Sequence, residues 1–251
     1  MSFQVKGKTA LVTGANRGIG KAIVEALLQH GAAKVYASTR NPASVQELLD
    51  GWGDRVVPLQ LDVTDQAQID QAAQQAHDVE LLINNAGILN TQLPLDAEAE
   101  SSLRAELEVN VFGLLRMAQA FAPILKNNGG GALVQLNSVA SLRASAWAST
   151  YCASKAAAYS ITQSLREQLA EQDTQVLSVH PGPIDTDMAV RAGIDDVAEP
   201  VTLVSEGIID SLRQGIFHFY PDSMARAMGA AYANFAEQVI EADSAISKDI
   251  N

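Results

Sequence analysis

The chain has 251 residues, 47% of them hydrophobic and 18% charged, which is enough apolar material for one α/β domain over 1–251, with two small domains as the alternative. Seventeen basic against twenty-nine acidic residues give a formal net charge of −12, which disfavours nucleic acid and anionic membranes as partners. The lone cysteine excludes an intrachain disulfide, and the four histidines lack metal-ligand spacing, so no metal is expected. No apolar run is long enough for a signal peptide or a membrane span, which favours a cytoplasmic location.

Short β-prone runs alternate with longer segments of helical period along the chain. The predicted strands are TALVT from Thr9, KVYAST from Lys34, VVPLQL from Val56, LLIN from Leu81, ALVQLN from Ala132, QVLSVH from Gln175 and GIFHFY from Gly215. Strands of nearly continuous hydrophobic character, separated by helices, indicate βαβ units whose helices cover both faces of a parallel sheet. The alternation predicts an α/β fold with about seven parallel strands.

A glycine-rich turn, TGANRGIG, follows the first predicted strand and contains Gly14, Gly18 and Gly20. Before a helix, such glycines permit a tight turn, close approach of backbone N–H groups to a pyrophosphate, and packing of helix on strand. The spacing is G-x-x-x-G-x-G and not the more usual G-x-G-x-x-G. The turn indicates a dinucleotide phosphate site, and the alternative is a glycine turn needed for packing alone.

Further motifs follow in a fixed order. They are LDV at 61–63, NNAG at 84–87, Asn110, Ser138, YCASK at 151–155 and HPG at 180–182. With the glycine turn, they resemble the short-chain dehydrogenase/reductase family over about residues 6 to 190. The resemblance implies a single Rossmann-type, doubly wound sheet of strand order 3-2-1-4-5-6-7. Its cofactor-binding part would cover about residues 6–140 and its catalytic and substrate part about residues 138–251.

Tyr151 and Lys155 lie four residues apart, which places both side chains on one face of a helix. Carbonyl reduction needs a proton donor, and a nearby cation brings the pKa of a phenol down from about 10. The resemblance gives Tyr151 the role of general acid/base and Lys155 the roles of lowering its pKa and binding the nicotinamide ribose. It also implies that Ser138 binds the substrate oxygen and that Asn110 holds a water of a proton relay.

Each of these residues also has a plain structural interpretation. A Tyr and a Lys at this spacing are common on surface helices, and a serine at a strand end is often a cap. Asn110 can serve only to hydrogen-bond neighbouring backbone. The conjunction with a dinucleotide loop is what favours the catalytic interpretation.

The end of the second strand decides between NAD and NADP. Ser38 and Thr39 stand where family members that use NAD carry an aspartate; Arg40 follows, and Arg17 lies beside the glycine turn. Two guanidinium groups would favour a 2′-phosphate, so NADP(H) is expected over NAD(H), unless both arginines are merely solvated surface side chains. The resemblance assigns the remaining cofactor contacts to Asn16, Ile19, Asp62, Val63, Asn84, Ala86, Gly87, Pro181, Gly182, Ile184 and Thr186.

The walls of the substrate pocket are expected from two segments, 140–150 and 183–200. They offer mostly apolar side chains, with Arg143 and Arg191 as exceptions: Leu142, Ala144, Trp147, Ile184 and Met188. This composition favours a small or medium, mostly apolar aldehyde or ketone, reduced to an alcohol or formed from it. The alternatives are a non-catalytic dinucleotide sensor or regulatory protein, and an epimerase or dehydratase of the same fold.

The C-terminal part departs from the family pattern, in which a Gly-rich tail often helps to build a tetramer. Here a helix of about 20 residues is predicted over 223–242, with Met224, Met228, Ala231, Phe235 and Val239 on or near one stripe. Small residues in CASKAAAYSI permit close helix approach, so a homodimer or homotetramer is expected through the helices that contain Asn110 and Tyr151.

Overall fold

A computed structural model describes residues 2–241 and contains one parallel sheet in their midst. Its strands pair in the order β3-β2-β1-β4-β5-β6-β7, which confirms the predicted α/β class, strand number and order. The strands are β1 Thr9–Thr13, β2 Lys34–Thr39, β3 Val56–Gln60, β4 Leu81–Asn84, β5 Ala132–Leu136, β6 Gln175–Val179 and β7 His218–Phe219. The last strand is shorter than predicted because Gly215, in the left-handed conformation at φ 73°, ends the preceding helix.

Helices connect the strands and cover both faces of the sheet. They are α1 Gly18–Gln29, α2 Gln46–Trp52, α3 Gln66–Gln75, α4 Ala99–Leu107, α5 Gly113–Asn127, α6 Ser149–Ala170, α7 Asp187–Ala192, α8 Val201–Gln214 and α9 Ser223–Phe235. A π-helical turn over Glu108–Phe112 joins α4 to α5, and another over Ala236–Ile240 extends α9. Short 3₁₀ turns occur at Pro42–Val45, Gly53–Arg55, Val139–Ser141, Ala146–Ala148 and Asp195–Val197.

The core consists of two apolar layers, one on each face of the sheet. Alternate residues of a strand face opposite layers, so Val12 packs toward α1 and α8 whereas Leu11 packs toward α3, α5 and α6. The sheet is therefore buried on both faces, and its polar strand ends are left at one edge, where loops collect.

Side-chain caps fix the start of three helices. Asp65 accepts hydrogen bonds from the first N–H groups of α3, Thr186 from α7 and Asp222 from α9. The helix predicted over 223–242 begins where expected, and its stripe residues from Met224 to Val239 are described; residue 242 lies outside the described residues. Within residues 2–241, no helix is long and apolar enough to cross a membrane.

Candidate active site

The glycine turn joins β1 to α1 with almost no space for side chains. Gly14 has a φ of 66°, and a Cβ on Gly20 would lie 2.1 Å from the carbonyl oxygen of Gly14. The first turn of α1 carries neither a side-chain cap nor an acidic residue, so its N–H groups and helix dipole suit an anion. Asn16 and Ile19, which were predicted to contact the cofactor, are half-buried within the turn.

Asn85 holds this turn in place. Its Nδ2 donates to the carbonyl oxygens of Thr13 and Gly14 at 2.9 and 3.2 Å, and the Thr13 hydroxyl accepts from the N–H groups of Asn85 and Ala86. The sequence interpretation named Asn84, Ala86 and Gly87 but missed Asn85. The available signal was the second asparagine of the NNAG motif, which stands directly after β4, the strand that pairs with β1.

The side chain of Asn84 lies elsewhere than expected. It is buried in a small cavity between β4, β5 and α5, where Asn110 and Gln135 also contribute to the lining. The contact predicted from Asn84 to the middle of the cofactor stays a prediction. Gly87 is better placed, since a Cβ there would lie 3.1 Å from Oδ1 of Asn110 and 3.7 Å from Nζ of Lys155.

The end of β2 carries no acid. The Ser38 hydroxyl is buried and donates to the carbonyl of Val12 at 3.1 Å, Thr39 is buried beside it, and Arg40 is exposed. Arg17 departs from the expectation that it faces a 2′-phosphate, because its Nη1 pairs with Oδ2 of Asp187 at 2.7 Å. Both partners of that pair are more than half exposed, and exposed ion pairs contribute only about 0–1 kcal/mol, so a phosphate can compete for the guanidinium.

Asp62 forms a local turn after β3. Its Oδ1 accepts from the N–H and the hydroxyl of Thr64 at 2.9 and 2.8 Å, which gives the residue a structural role beside its predicted cofactor contact. Val63 is buried against α5, where a Cβ on Gly113 would lie 2.8 Å from its Cγ2. The fold therefore uses one oxygen of Asp62 to shape the turn beside the cofactor cleft.

Ser138, Tyr151 and Lys155 converge at the carboxyl edge of the sheet, each less than 10% exposed. Ser138 follows β5; its hydroxyl accepts from the N–H of Ala140 and donates to the carbonyl of Pro181 at 3.2 Å. Lys155 donates to the carbonyl of Leu136 at 2.7 Å, and its Nζ lies 5.8 Å from the centroid of the Tyr151 ring. Three of the four residues predicted to be catalytic thus lie together, one after β5 and two on α6.

The pKa values of Tyr151 and Lys155 differ from the expectation that Lys155 lowers the pKa of Tyr151. Burial raises the pKa of Tyr151 to about 12, an effect that the neighbouring Ser138 hydroxyl opposes and the charge of Glu106 reinforces. Burial also lowers the pKa of Lys155 to about 8. The expected lowering of the Tyr151 pKa by Lys155 is therefore wrong for the protein groups by themselves. The ammonium donates to the Leu136 carbonyl, and burial is the largest influence on the pKa of the phenol.

Asn110 lies in the π-helical turn between α4 and α5. Its Oδ1 accepts from the N–H of Ile88 at 2.9 Å, and its Nδ2 donates to the Ile88 carbonyl and the Ser154 hydroxyl at 3.0 and 2.9 Å. Both ends of the amide are thus used to join the loop after β4 to α6. Single π turns recur at functional sites because they displace a helical side chain and carbonyl from their regular positions.

The segment after β6 forms the other wall of the cleft. Pro181 and Ile184 are buried, and a Cβ on Gly18 would lie 2.9 Å from the methyl group of Thr186, so this segment packs directly on the glycine turn. The N–H of Gly182 donates to Oδ2 of Asp222 at 2.6 Å. Sequence reasoning missed Asp222, although a Pro-Asp pair before a helix was a visible capping signal.

The loops on either side of the first turn of α6 expose large apolar side chains. Trp147 is 41% exposed, and Leu93 and Leu95, which the sequence interpretation did not include, are 49% and 96% exposed. Leu142 and Met188 are half-buried, whereas Ala144, Arg143 and Arg191 are exposed. Among residues 2–241, no group of three or more His, Cys, Asp or Glu side chains is arranged to hold a metal ion.

Comparison with known proteins agrees with this geometry. A sequence model of the short chain dehydrogenase family matches residues 8–196. The sorbitol dehydrogenase of Cereibacter sphaeroides is 35% identical over 188 residues, with 73% of this chain and 73% of that protein covered. The 3-oxoacyl-[acyl-carrier-protein] reductase FabG of Vibrio cholerae is 33% identical over 190 residues, with 74% and 77% covered.

A solved structure is similar over nearly the whole chain. The short chain dehydrogenase from Burkholderia cenocepacia J2315, crystallised in complex with NADP, is 38% identical with a TM-score of 0.84, and the match covers 94% of this chain and 99% of that one. The fold and its glycine turn define a dinucleotide-binding α/β protein. The chain belongs to the short-chain dehydrogenase/reductase family, as its motifs predicted, and it is an oxidoreductase.

Proposed function

We propose that the protein is an NADP(H)-dependent oxidoreductase that reduces small or medium, mostly apolar aldehydes or ketones to alcohols and catalyses the reverse reaction. The convergence of Ser138, Tyr151 and Lys155 beside the glycine turn carries this proposal. The chain would work as one domain, with cofactor contacts from about residues 6–140 and catalytic and substrate contacts from about residues 138–251. The cytoplasmic location stays a prediction from the sequence.

The residues of the cleft suit a nicotinamide dinucleotide. The crowded Gly14–Gly20 turn and the uncapped start of α1 would hold the pyrophosphate, and Lys155 and the 181–186 segment would hold the nicotinamide end. Bound there, the cofactor supplies or accepts the hydride at the substrate carbon.

The side chains of the protein would manage the substrate oxygen and its proton. Ser138 would donate a hydrogen bond to the carbonyl oxygen and hold it toward Tyr151. Tyr151 would give its phenolic proton to the oxygen as negative charge develops there, and a pKa of about 12 keeps that proton in place at neutral pH. Lys155 would bind the ribose and stabilise the tyrosinate that remains.

NADP(H) is favoured over NAD(H) by the charges at the adenosine end. Ser38 and Thr39 present no carboxylate to repel a 2′-phosphate, and the exposed Arg40 follows them directly. Arg17 would exchange Asp187 for the phosphate. The Burkholderia relative crystallised with NADP supports the same preference.

The substrate class is inferred from the exposed apolar side chains in the loops beside the first turn of α6. Exposed Trp147, Leu93 and Leu95 suit an apolar substituent better than a sugar or a phosphate, although named relatives act on sorbitol and on acyl-carrier-protein substrates. A dinucleotide sensor would not need the buried Ser138, Tyr151 and Lys155 set, and an epimerase or dehydratase would turn over substrate without net consumption of cofactor.

We also propose assembly into a homodimer or homotetramer. The groove between α5 and α6 is lined in part by Leu115, Ala122 and Leu165, and Phe112 at the start of that face is 46% exposed. Ala157 and Ile161 on α6 are only half-buried within one protomer, which leaves them available to a second copy. Analytical ultracentrifugation at micromolar concentration measures the state directly.

The experiment that tests the function is a cofactor-oxidation assay with NADPH and NADH over a panel of aliphatic and aromatic aldehydes and ketones, polyols and acyl thioesters. We expect carbonyl-dependent oxidation, highest for apolar carbonyls, and NADPH binding at least about tenfold tighter than NADH. Thr39→Asp combined with Arg40→Ala should invert the preference, while Arg143→Ala, distant from that end of the cleft, should not. Equal dissociation constants for the two cofactors in the unmodified protein would contradict the cofactor proposal.

A further inference from the structure

Glu106, in the last turn of α4, is a carboxylate with no exposed surface. Acidic side chains are almost never fully buried unless they are paired, because the loss of hydration costs several kcal/mol. No cation pairs with Glu106 among the ion pairs of residues 2–241. A charge placed at this cost calls for an explanation in terms of what it touches.

The carboxylate faces two segments of the active site. Its Oε1 accepts a hydrogen bond of 2.7 Å from the N–H of Asn90, in the loop between β4 and α4. Its Oε2 and the Thr150 hydroxyl, in the first turn of α6, are both buried without a hydrogen-bond partner among residues 2–241. The Thr150 hydroxyl lowers the pKa of Glu106 against the larger opposing effect of burial. Thr150 is the residue before Tyr151.

Hydrogen bonds hold the loop between β4 and α4 in place at alternate residues. Ile88 bonds to Asn110, Asn90 to Glu106, and the carbonyl of Gln92 accepts from the N–H and hydroxyl of Ser149 at 3.1 and 2.9 Å. The exposed Leu93 and Leu95 follow in the same loop. Of these three contacts, only the one between Asn90 and Glu106 uses a charged group.

We propose that Glu106 is a positioning residue of the active site, which holds the loop at Asn90 against the first turn of α6 and so fixes Tyr151 relative to the substrate-binding wall. This inference rests on the proposed function, because it assigns the proton transfer to Tyr151. The charge of Glu106 has a second consequence at the phenol, and that consequence makes the role measurable.

The ionisable groups around Tyr151 are few. Lys155 and Cys152 face it from α6 and Glu106 from α4, whereas the Ser138 hydroxyl after β5 is neutral. The negative charge of Glu106 raises the pKa of Tyr151 and so favours the protonated phenol, the form needed for reduction. Replacement by glutamine keeps an acceptor for Asn90 but removes the charge, so the fraction of tyrosinate at neutral pH should increase.

The test compares Glu106→Gln, Glu106→Leu and the control Glu108→Gln. Glu108 lies two residues later, is half exposed and pairs with Arg116 at 2.6 Å. Alcohol oxidation with NADP⁺ and carbonyl reduction with NADPH are measured at pH 7 with the best substrate pair from the panel. We expect Glu106→Gln to increase kcat/KM for oxidation about three- to tenfold, which corresponds to a fall of about 0.5 to 1 unit in the pKa of the phenol.

Glu106→Leu should raise KM and lower kcat in both directions, because the loop loses its acceptor, and Glu108→Gln should change neither. Unchanged oxidation kinetics in Glu106→Gln would overturn the proposal, and this decision does not depend on whether Glu106→Leu folds. Tyr151→Phe is measured alongside. Near-normal turnover in Tyr151→Phe would overturn the proposed function, whereas loss there without a gain in Glu106→Gln overturns only the role of Glu106.

Discussion

Helix α6 carries two buried tyrosines, Tyr151 and Tyr159, in clusters of opposite kinds. The Tyr159 hydroxyl lies 2.6 Å from Nε2 of His218, whose Nδ1 lies 2.6 Å from Oε1 of Glu241. The His180 ring meets the Tyr159 ring edge-on, with centroids 4.7 Å apart. The described residues around Tyr151 include no histidine; its neighbours are the Ser138 hydroxyl, Cys152, the Glu106 carboxylate and the more distant ammonium of Lys155.

The comparison shows that a chain of Tyr, His and Glu is not by itself a sign of catalysis. In the Tyr159 cluster the hydroxyl of Tyr159 and both histidine rings are hydrogen-bonded to other protein groups, which makes the cluster stabilising. In the Tyr151 cluster the phenol faces a cleft whose other walls are the glycine turn and the 181–186 segment. A reactive tyrosine is therefore identified by what its surroundings leave available.

The largest expected effect separates the two tyrosines directly. Tyr151→Phe should reduce kcat for carbonyl reduction by about 10²- to 10⁴-fold, because it removes the proton donor, while the Kd for NADPH stays nearly the same. Tyr159→Phe should keep most of the turnover and lose about 1–2 kcal/mol of unfolding free energy with its hydrogen bond to His218. Steady-state kinetics and chemical denaturation check both. More than a few per cent of wild-type kcat in Tyr151→Phe would remove the distinction.

A smaller effect is expected from the cations beside the two clusters. Lys155→Ala should weaken NADPH binding about tenfold and lower kcat, since the variant loses the ribose contacts and the charge beside the phenol. Arg166→Ala is the matched change near Tyr159, where the guanidinium stacks 4.8 Å from the Phe217 ring and donates to the Ile240 carbonyl. It should alter stability alone. A cofactor affinity that depended on Arg166 as strongly as on Lys155 would contradict the assignment of roles.

The smallest expected effect concerns pH and stability at His180. Burial lowers the pKa of His180 to about 3, whereas its pKa in the unfolded chain is about 6.5. The unfolded state therefore binds more protons between these values, and the free energy of unfolding falls as the pH falls through that range, by up to about 1.4 kcal/mol per pH unit. Denaturation of the wild type and His180→Gln at pH 7, 6 and 5 should give a flatter dependence for the variant. The exposed His77→Gln serves as the control, and equal slopes for wild type and His180→Gln would show that His180 does not remain neutral.

The sequence predicted the sheet, and it brought Ser138, Tyr151 and Lys155 into one proposed site, because both inferences depend on local pattern and on family resemblance. Strand order followed from the family, and the Tyr151–Lys155 pair followed from helical spacing. The pairing of Arg17 with Asp187 and the bond between Glu106 and Asn90 join segments whose approach no local pattern encodes. The proton affinity of Tyr151 was mispredicted for a related reason, since burial and the direction of the Lys155 side chain are set by tertiary packing.

The bond from Gly182 to Asp222 has a consequence for how the protein is made. The two residues are 40 positions apart, so the wall of the cleft at Gly182 gains this support only after the start of α9 has left the ribosome. The glycine turn, supported by Asn85, is completed much earlier in synthesis. During translation the nascent chain would thus acquire an anchor for the dinucleotide well before the enclosure around its reactive end.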